Sequence, residues 1–292
     1  MTSSPSFFGR HGVDLSVPDG RPLDQALART TDLGIGAHPD DLEFLMLVPI
    51  GGCLADDERS FTGVTCTDGA GSARSGAWAA LTDDELVIVR CEEQRRAAEI
   101  GAYGAMVQLG WSSAAARARD GSPNLVDDLV EVLDATRPQN VYTHNLADKH
   151  STHVAVGASV VQAIRRLPVD QRPHRLVGIE GWRGLDWLPD HEKVLLDATG
   201  LDDLAAALAA CFPSQIDGGK RYDLAEAGRR RANATLREPR AVDDAESLIV
   251  AMDLTPLIRN DDIDPVAFVR SAITRFQADV ERALEAQFGP RS

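Results

Sequence analysis

Two histidine-bearing clusters hold the side chains most able to do chemistry. The first is His38-Pro39-Asp40-Asp41-Leu42-Glu43. Proline disfavours the helical region for the residue before it, so His38 stays extended while Asp40 and Asp41 fall where a helix begins. Adjacent aspartates there point in different directions. One carboxylate can bind a metal while its neighbour handles a proton; in the simpler reading, one of them caps the helix. The second cluster, His144 to His153, holds three of the seven histidines. His150 and His153 are three apart, so a helix starting at Ser151 or Thr152 projects both rings from its first turn. In the simpler reading these are solvated loop histidines. Joined, the clusters supply two imidazoles and a carboxylate, the three-ligand set with an open fourth position of a catalytic zinc site.

Such a set needs a scaffold that brings distant segments together, and the chain predicts one. Leu33 to Ala37 reads as a buried strand running into His38, and Leu42 to Ile50 as the helix after it. Strands follow at Phe61–Thr67, Ala105–Leu109 and Asn140–Thr143, alternating with helices at Asp83–Tyr103, Leu125–Ala135 and Thr152–Leu167. This alternation predicts an α/β fold, a doubly wound, mostly parallel Rossmann-like sheet whose crevice lies at the carboxyl ends of its strands, where His38 and His150 fall. Beyond about residue 170 the order loosens. Strands at Arg175–Gly181 and Lys193–Asp197 and helices at Leu201–Cys211 and Pro265–Gln287 form a C-terminal extension. The expected organisation is a polar lead-in over residues 1–30 and one domain over 31–292, with a catalytic core at 31–167 and a substrate-shaping part at 168–292.

Composition bounds the function. The 292 residues carry 45 Asp and Glu against 30 Lys and Arg, a net charge of −15. That surface repels phosphate backbones and anionic lipid, which argues against nucleic-acid and membrane partners. The four cysteines, Cys53, Cys66, Cys91 and Cys211, lack zinc-knuckle or disulfide spacing and read as reduced core residues. With no signal-peptide core and no apolar run of roughly 18–20 residues, a cytoplasmic protein is expected.

Gly36-Ala37-His38-Pro39-Asp40-Asp41-x-Glu43, joined to His150-x-x-His153, resembles the PIG-L/LmbE-type deacetylases over roughly residues 31–165. The resemblance implies that His38, Asp41 and His153 bind one divalent metal, usually Zn2+, that Asp40 is the general base, and that His150, protonated, is the electrostatic or acid partner. The family's Arg-x-x-Glu helix is matched by Arg90 and Glu93, read as mainly structural. The second motif departs from the family: Ser151-Thr152 stands where a Pro-Asp step is common, and Asp148 and Lys149 where some members carry a tyrosine. The activity implied is hydrolysis of an N-acetyl group from a small N-acetylhexosamine compound. The candidate substrate contacts are Arg74, Asp148, Trp182 and Asp186. Arg229-Arg230-Arg231 reads as a solvated helix face, with attraction of an anionic substrate as the alternative. Two other readings use the same residues, an amidase acting on a larger glucosamine-type conjugate and a non-catalytic sugar binder. A dinucleotide-binding oxidoreductase, raised by Gly34-x-Gly36, fails because Pro39 occupies the third glycine position. The sequence leaves homo-oligomerisation open.

Overall fold

The computed structural model describes residues 12–118 and 124–289. Within them the chain runs β1 (Asp14–Ser16), α1 (Leu23–Ala28), β2 (Asp32–Gly36), α2 (Asp41–Leu45), α3 (Leu47–Leu54), β3 (Phe61–Thr67), α4 (Asp83–Ile100), β4 (Ala105–Trp111), α5 (Ser113–Ala116), α6 (Leu125–Thr136), β5 (Asn140–His144) and α7 (Ser151–Arg166). It continues through β6 (Arg175–Ile179), β7 (Lys193–Asp197), α8 (Asp202–Ala209), α9 (Pro213–Ile216), α10 (Tyr222–Thr235), β8 (Leu248–Asp253), α11 (Thr255–Arg259) and α12 (Pro265–Phe288).

The eight strands form one sheet in the order β1-β4-β3-β2-β5-β6-β8-β7. Its centre, β4-β3-β2-β5-β6, is parallel, whereas β1, β8 and β7 pair antiparallel. Every residue of β2 and β3 is buried, as parallel strands covered on both faces require. One core packs Leu33, Ile35 and Val64 against Leu129 and Val160 of α6 and α7. The other packs Leu42, Met46, Phe61 and Tyr103 against Leu208. The chain builds β2, β3 and β4 to one side, then returns to lay β5 and β6 on the other. The β2/β5 junction is thus the topological switch point, where such sheets open a crevice.

The sheet bears out the expected α/β class. The helix expected from Leu42 to Ile50 is two helices, broken at Met46. Proline inside a continuous helix would collide with the Leu45 carbonyl four residues back; the break puts Pro49 in the first turn of α3, where proline is tolerated. The expected lead-in holds β1 and α1, and its first eleven residues lie outside the described ones. Among the described residues no helix is long and apolar enough to cross a membrane, and all four cysteines are free thiols, of which Cys66 alone is buried.

Candidate metal centre and active site

β2 ends at Gly36, and Ala37 is pinned from both sides: its carbonyl accepts from Thr67 N and Oγ1 at 2.7 and 2.8 Å, and its N–H donates to His144 Nε2 at 2.8 Å. His38 is therefore held at the switch point. Neither aspartate caps α2. Asp41 Oδ2 turns back onto His38, accepting from its backbone N–H at 2.7 Å and lying 3.2 Å from Nδ1. Asp40 makes no cap hydrogen bond and has φ 94, a left-handed conformation that strains a non-glycine residue. Arg90, buried in α4, holds it there by donating to the Pro39 carbonyl and, at 3.1 Å, to Asp40 Oδ2. The Gln94 amide accepts from Asp40 N at 3.1 Å and donates to the buried Glu43 at 2.7 Å.

From β5 and α7 come three more histidines' worth of constraint. α7 begins at Ser151, with His150 as its N-cap residue. His153 Nε2 lies 3.5 Å from Asp41 Oδ1, and its Nδ1 lies 3.1 Å from Asp148 Oδ2. Asp148 also accepts from His150 N at 2.8 Å and Gly181 N at 3.2 Å. His144 stacks on His153 at 3.8 Å between centroids. The His150 ring meets His38 edge-on at 5.0 Å and lies over Trp182 at 6.2 Å.

Among the described residues two groups have ligand atoms within 4.8 Å of one another, His38/Asp41/His153 and His144/Asp148/His153. Only the first faces a cavity throughout. The second is closed: His144 is bound to Ala37 and Asp148 to two backbone N–H groups. A catalytic metal needs an open position, so the first group fits one and the second does not. Charge agrees. Burial alone would raise the Asp41 pKa, but His153 and His144 hold it well below the usual carboxylate range, in the anionic form a ligand needs. Burial pushes Asp40 well above that range, against the pull of Arg90. Burial works to lower the His153 pKa, and Asp41 and Asp148 reverse this and raise it. His150 goes the other way. Burial, then the neighbouring His153 and His38, push it down to about 4, which favours the neutral ring.

The cavity measures about 780 Å³. His38, Asp40, Asp41, His150 and His153 all line it, so the structure brings together the five expected metal and catalytic residues. Of the expected substrate contacts Trp182 lines it, with Lys220 Nζ 4.7 Å above its ring. Asp148 is buried behind His153. Arg74 is spent on the Leu81 and Ala70 carbonyls and Asp83. Asp186 is exposed on the surface. None of these last three is among the lining residues. The segment after Ser214 contributes Gln215, Lys220, Arg221 and Tyr222 to the wall, and α10 adds Glu226 and Arg229. Sequence reasoning read Arg229 as part of a solvated helix face and gave the other wall residues no role. Glu93 ties the segment down, accepting from Ser214 N and Oγ at 2.7 and 2.6 Å. The three arginines of α10 part company: Arg229 donates to the Gly181 carbonyl, Arg230 is buried, and Arg231 is exposed.

Residues 33–164 match the PIG-L family, described as GlcNAc-PI de-N-acetylase. The matched stretch is similar to that family over those residues. It holds both histidine clusters, while the wall from Gly181 to Arg229 lies beyond it. Among solved structures the chain is similar to an N,N'-diacetylchitobiose deacetylase from Pyrococcus horikoshii in complex with its inhibitor MPG, at 16% identity and TM-score 0.61, covering 79% of this chain and 86% of that one. It is similar to the A40926 pseudoaglycone deacetylase at 17% and 0.56, covering 77% and 97%. It is also similar to a 4-carboxy-2-hydroxymuconate hydratase from Pseudomonas putida KT2440 at 18% and 0.57, covering 76% and 95%. No curated protein matches the chain in sequence. The same fold is thus shared by proteins named for different reactions, and the reaction of this one has to be argued from its site.

Proposed function

We propose that this chain is a metal-dependent N-deacetylase, with zinc as its ion, that hydrolyses the acetamide of an N-acetylated hexosamine or a conjugate of one. The observation that carries the reading is the convergence of His38, Asp41 and His153 within 4.8 Å on the wall of a cavity that Asp40 also lines. Those three residues would hold the ion, and two imidazoles with one carboxylate suit zinc. When bound, the ion polarises the amide carbonyl and lowers the pKa of a coordinated water to about 7.

The remaining work falls to the chain. Asp40, outside the ligand set, accepts the proton of the attacking water on a carboxylate oxygen and returns it to the departing amine. Arg90 fixes that carboxylate toward the cavity. His150, neutral, offers a ring N–H to the developing oxyanion, a hydrogen bond in place of a full positive charge. Trp182 gives a sugar ring a stacking face, and Lys220 and Arg221 stand where polar or anionic substituents would lie. The family match and the deacetylase neighbours support the reaction class.

Metal content by plasma mass spectrometry, beside a fluorescamine assay of amine release from N-acetylhexosamines, their phosphates and larger acylated conjugates, tests the reading. Expected are one zinc per chain and release abolished by chelator. Asp40→Asn should keep the metal and lose about 10²–10⁴ in turnover, whereas His153→Ala should lose both. Absence of metal under zinc-replete conditions overturns the ligand assignment. Release that survives both chelator and Asp40→Asn overturns the mechanism.

A further inference from the structure

Helix α12 leaves the body of the protein after two turns. Ala272 is its one buried residue, and Phe268 packs against the core. From Ile273 to Gly289 no residue is buried. A projecting helix of this kind draws little from propensity alone, since helices in proteins are held chiefly by packing of an apolar face. α12 has such a face, and nothing among the described residues covers it. Val266, Val269, Ile273, Phe276, Val280 and Ala283 alternate spacings of three and four, the heptad pattern of a coiled-coil seam. Ile273, Phe276, Val280 and Leu284 are 37–53% exposed. At about 3.6 residues per turn the seam lies about a quarter-turn from Phe268 and Ala272. It is therefore separate from the face that anchors the helix.

Charge selects the occupant and its direction. The first half of α12 carries Arg270 and Arg275 and no acid, while the second carries Asp279, Glu281 and Glu285 against Arg282. A second α12 laid antiparallel sets basic half beside acidic half; laid parallel, it sets like on like. Arg275 also grips Glu192 at 2.6 Å, which fixes the direction in which the arm leaves the body.

We infer that α12 pairs antiparallel with α12 of a second copy of this chain, packing Phe276 against Val280 and Ile273 against Ala283 of the other copy. The helix is 24 residues long, about 36 Å, enough for three heptads. The inference rests on no part of the deacetylase reading, because none of these residues lines the cavity.

Light scattering of the full chain tests it. The expected mass is twice the 31.4 kDa of one chain. Phe276→Glu with Val280→Glu should return it to the single-chain mass without loss of the cooperative melt or of enzyme activity. Direction is read by oxidative cross-linking: Ile273→Cys chains mixed with Ala283→Cys chains should cross-link to one another and not to themselves. A monomer at all concentrations, or a dimer that survives the double substitution, overturns the pairing. Self-linking of each single variant overturns the antiparallel arrangement.

Discussion

Asp148 shows how a residue's role follows from its partners. Its position beside the second histidine cluster reads as a substrate contact, yet its carboxylate faces His153 Nδ1 at 3.1 Å and two backbone N–H groups. A carboxylate on the far nitrogen of a ligand histidine fixes the ring's orientation and turns its other nitrogen toward the metal. Asp148→Asn should weaken metal affinity about 10–100-fold, measured by competition with a chromogenic chelator, while leaving the folded state intact. Unchanged affinity would remove Asp148 from the support of the site. Asp40 and Arg90 make the same point. The paired aspartates made one of them a candidate for handling a proton, but the left-handed backbone of Asp40 and its contact with Arg90, a residue read only as structural, were not legible, since Arg90 is fifty residues away in sequence.

Among the elements, α7 carries the tightest positional demand. It must lie close on β5 to bring His153 over Asp41, and Gly157 permits this: a Cβ there would meet the His144 carbonyl oxygen at 2.7 Å. Backbone cannot swing aside as a side-chain tip can. Gly157→Ala should therefore lower stability by about 1–3 kcal/mol in chemical denaturation and reduce zinc occupancy, because relief requires α7 to lift. A variant as stable as the parent would show that the contact relaxes freely. Strands β3 and β7 fall where the apolar runs place them. β1 has only three residues, too short for a pattern to emerge. The Met46 break had a readable cause in Pro49, a residue whose effect depends on where the preceding helix starts.

For the molecule as a whole, buried carboxylates set part of the pH response. Glu180, just after β6, is buried, accepts from Leu185 N at 2.7 Å, and has its Oε1 3.8 Å from Arg183 Nε. Burial, with the Asp148 charge adding, pushes its pKa up from 4.5 to about 7. A carboxyl whose folded pKa lies above its unfolded value contributes stability that is full below about 4.5 and is lost as pH rises through about 7. Glu180→Gln removes that loss. Its melting temperature relative to the parent should therefore rise between pH 5 and pH 8, measured by differential scanning calorimetry; a constant difference would place the Glu180 pKa in the ordinary range. The overall charge of −15 is also unevenly spread, since Arg117, Lys220, Arg221 and Arg229 line the cavity of an acidic protein. Asp40, Asp41 and Glu226 line the cavity as well, so it mixes both signs of charge where the remaining surface is predominantly acidic.

The sequence by itself determined the chemistry on offer and the class of scaffold. Short-range spacing fixes His38 to Asp41 and His150 to His153, and period and apolar runs mark a parallel α/β sheet, because these depend on neighbours a few residues apart. The tertiary structure decided what each side chain spends itself on. The cavity wall from Gly181 to Arg229, the bond from Glu93 that ties it to α4, the closure of the His144/Asp148 group and the withdrawal of Arg74 and Asp186 from the cavity all join residues remote in sequence. Their meeting is set by how the helices dock on the sheet, which no local pattern encodes.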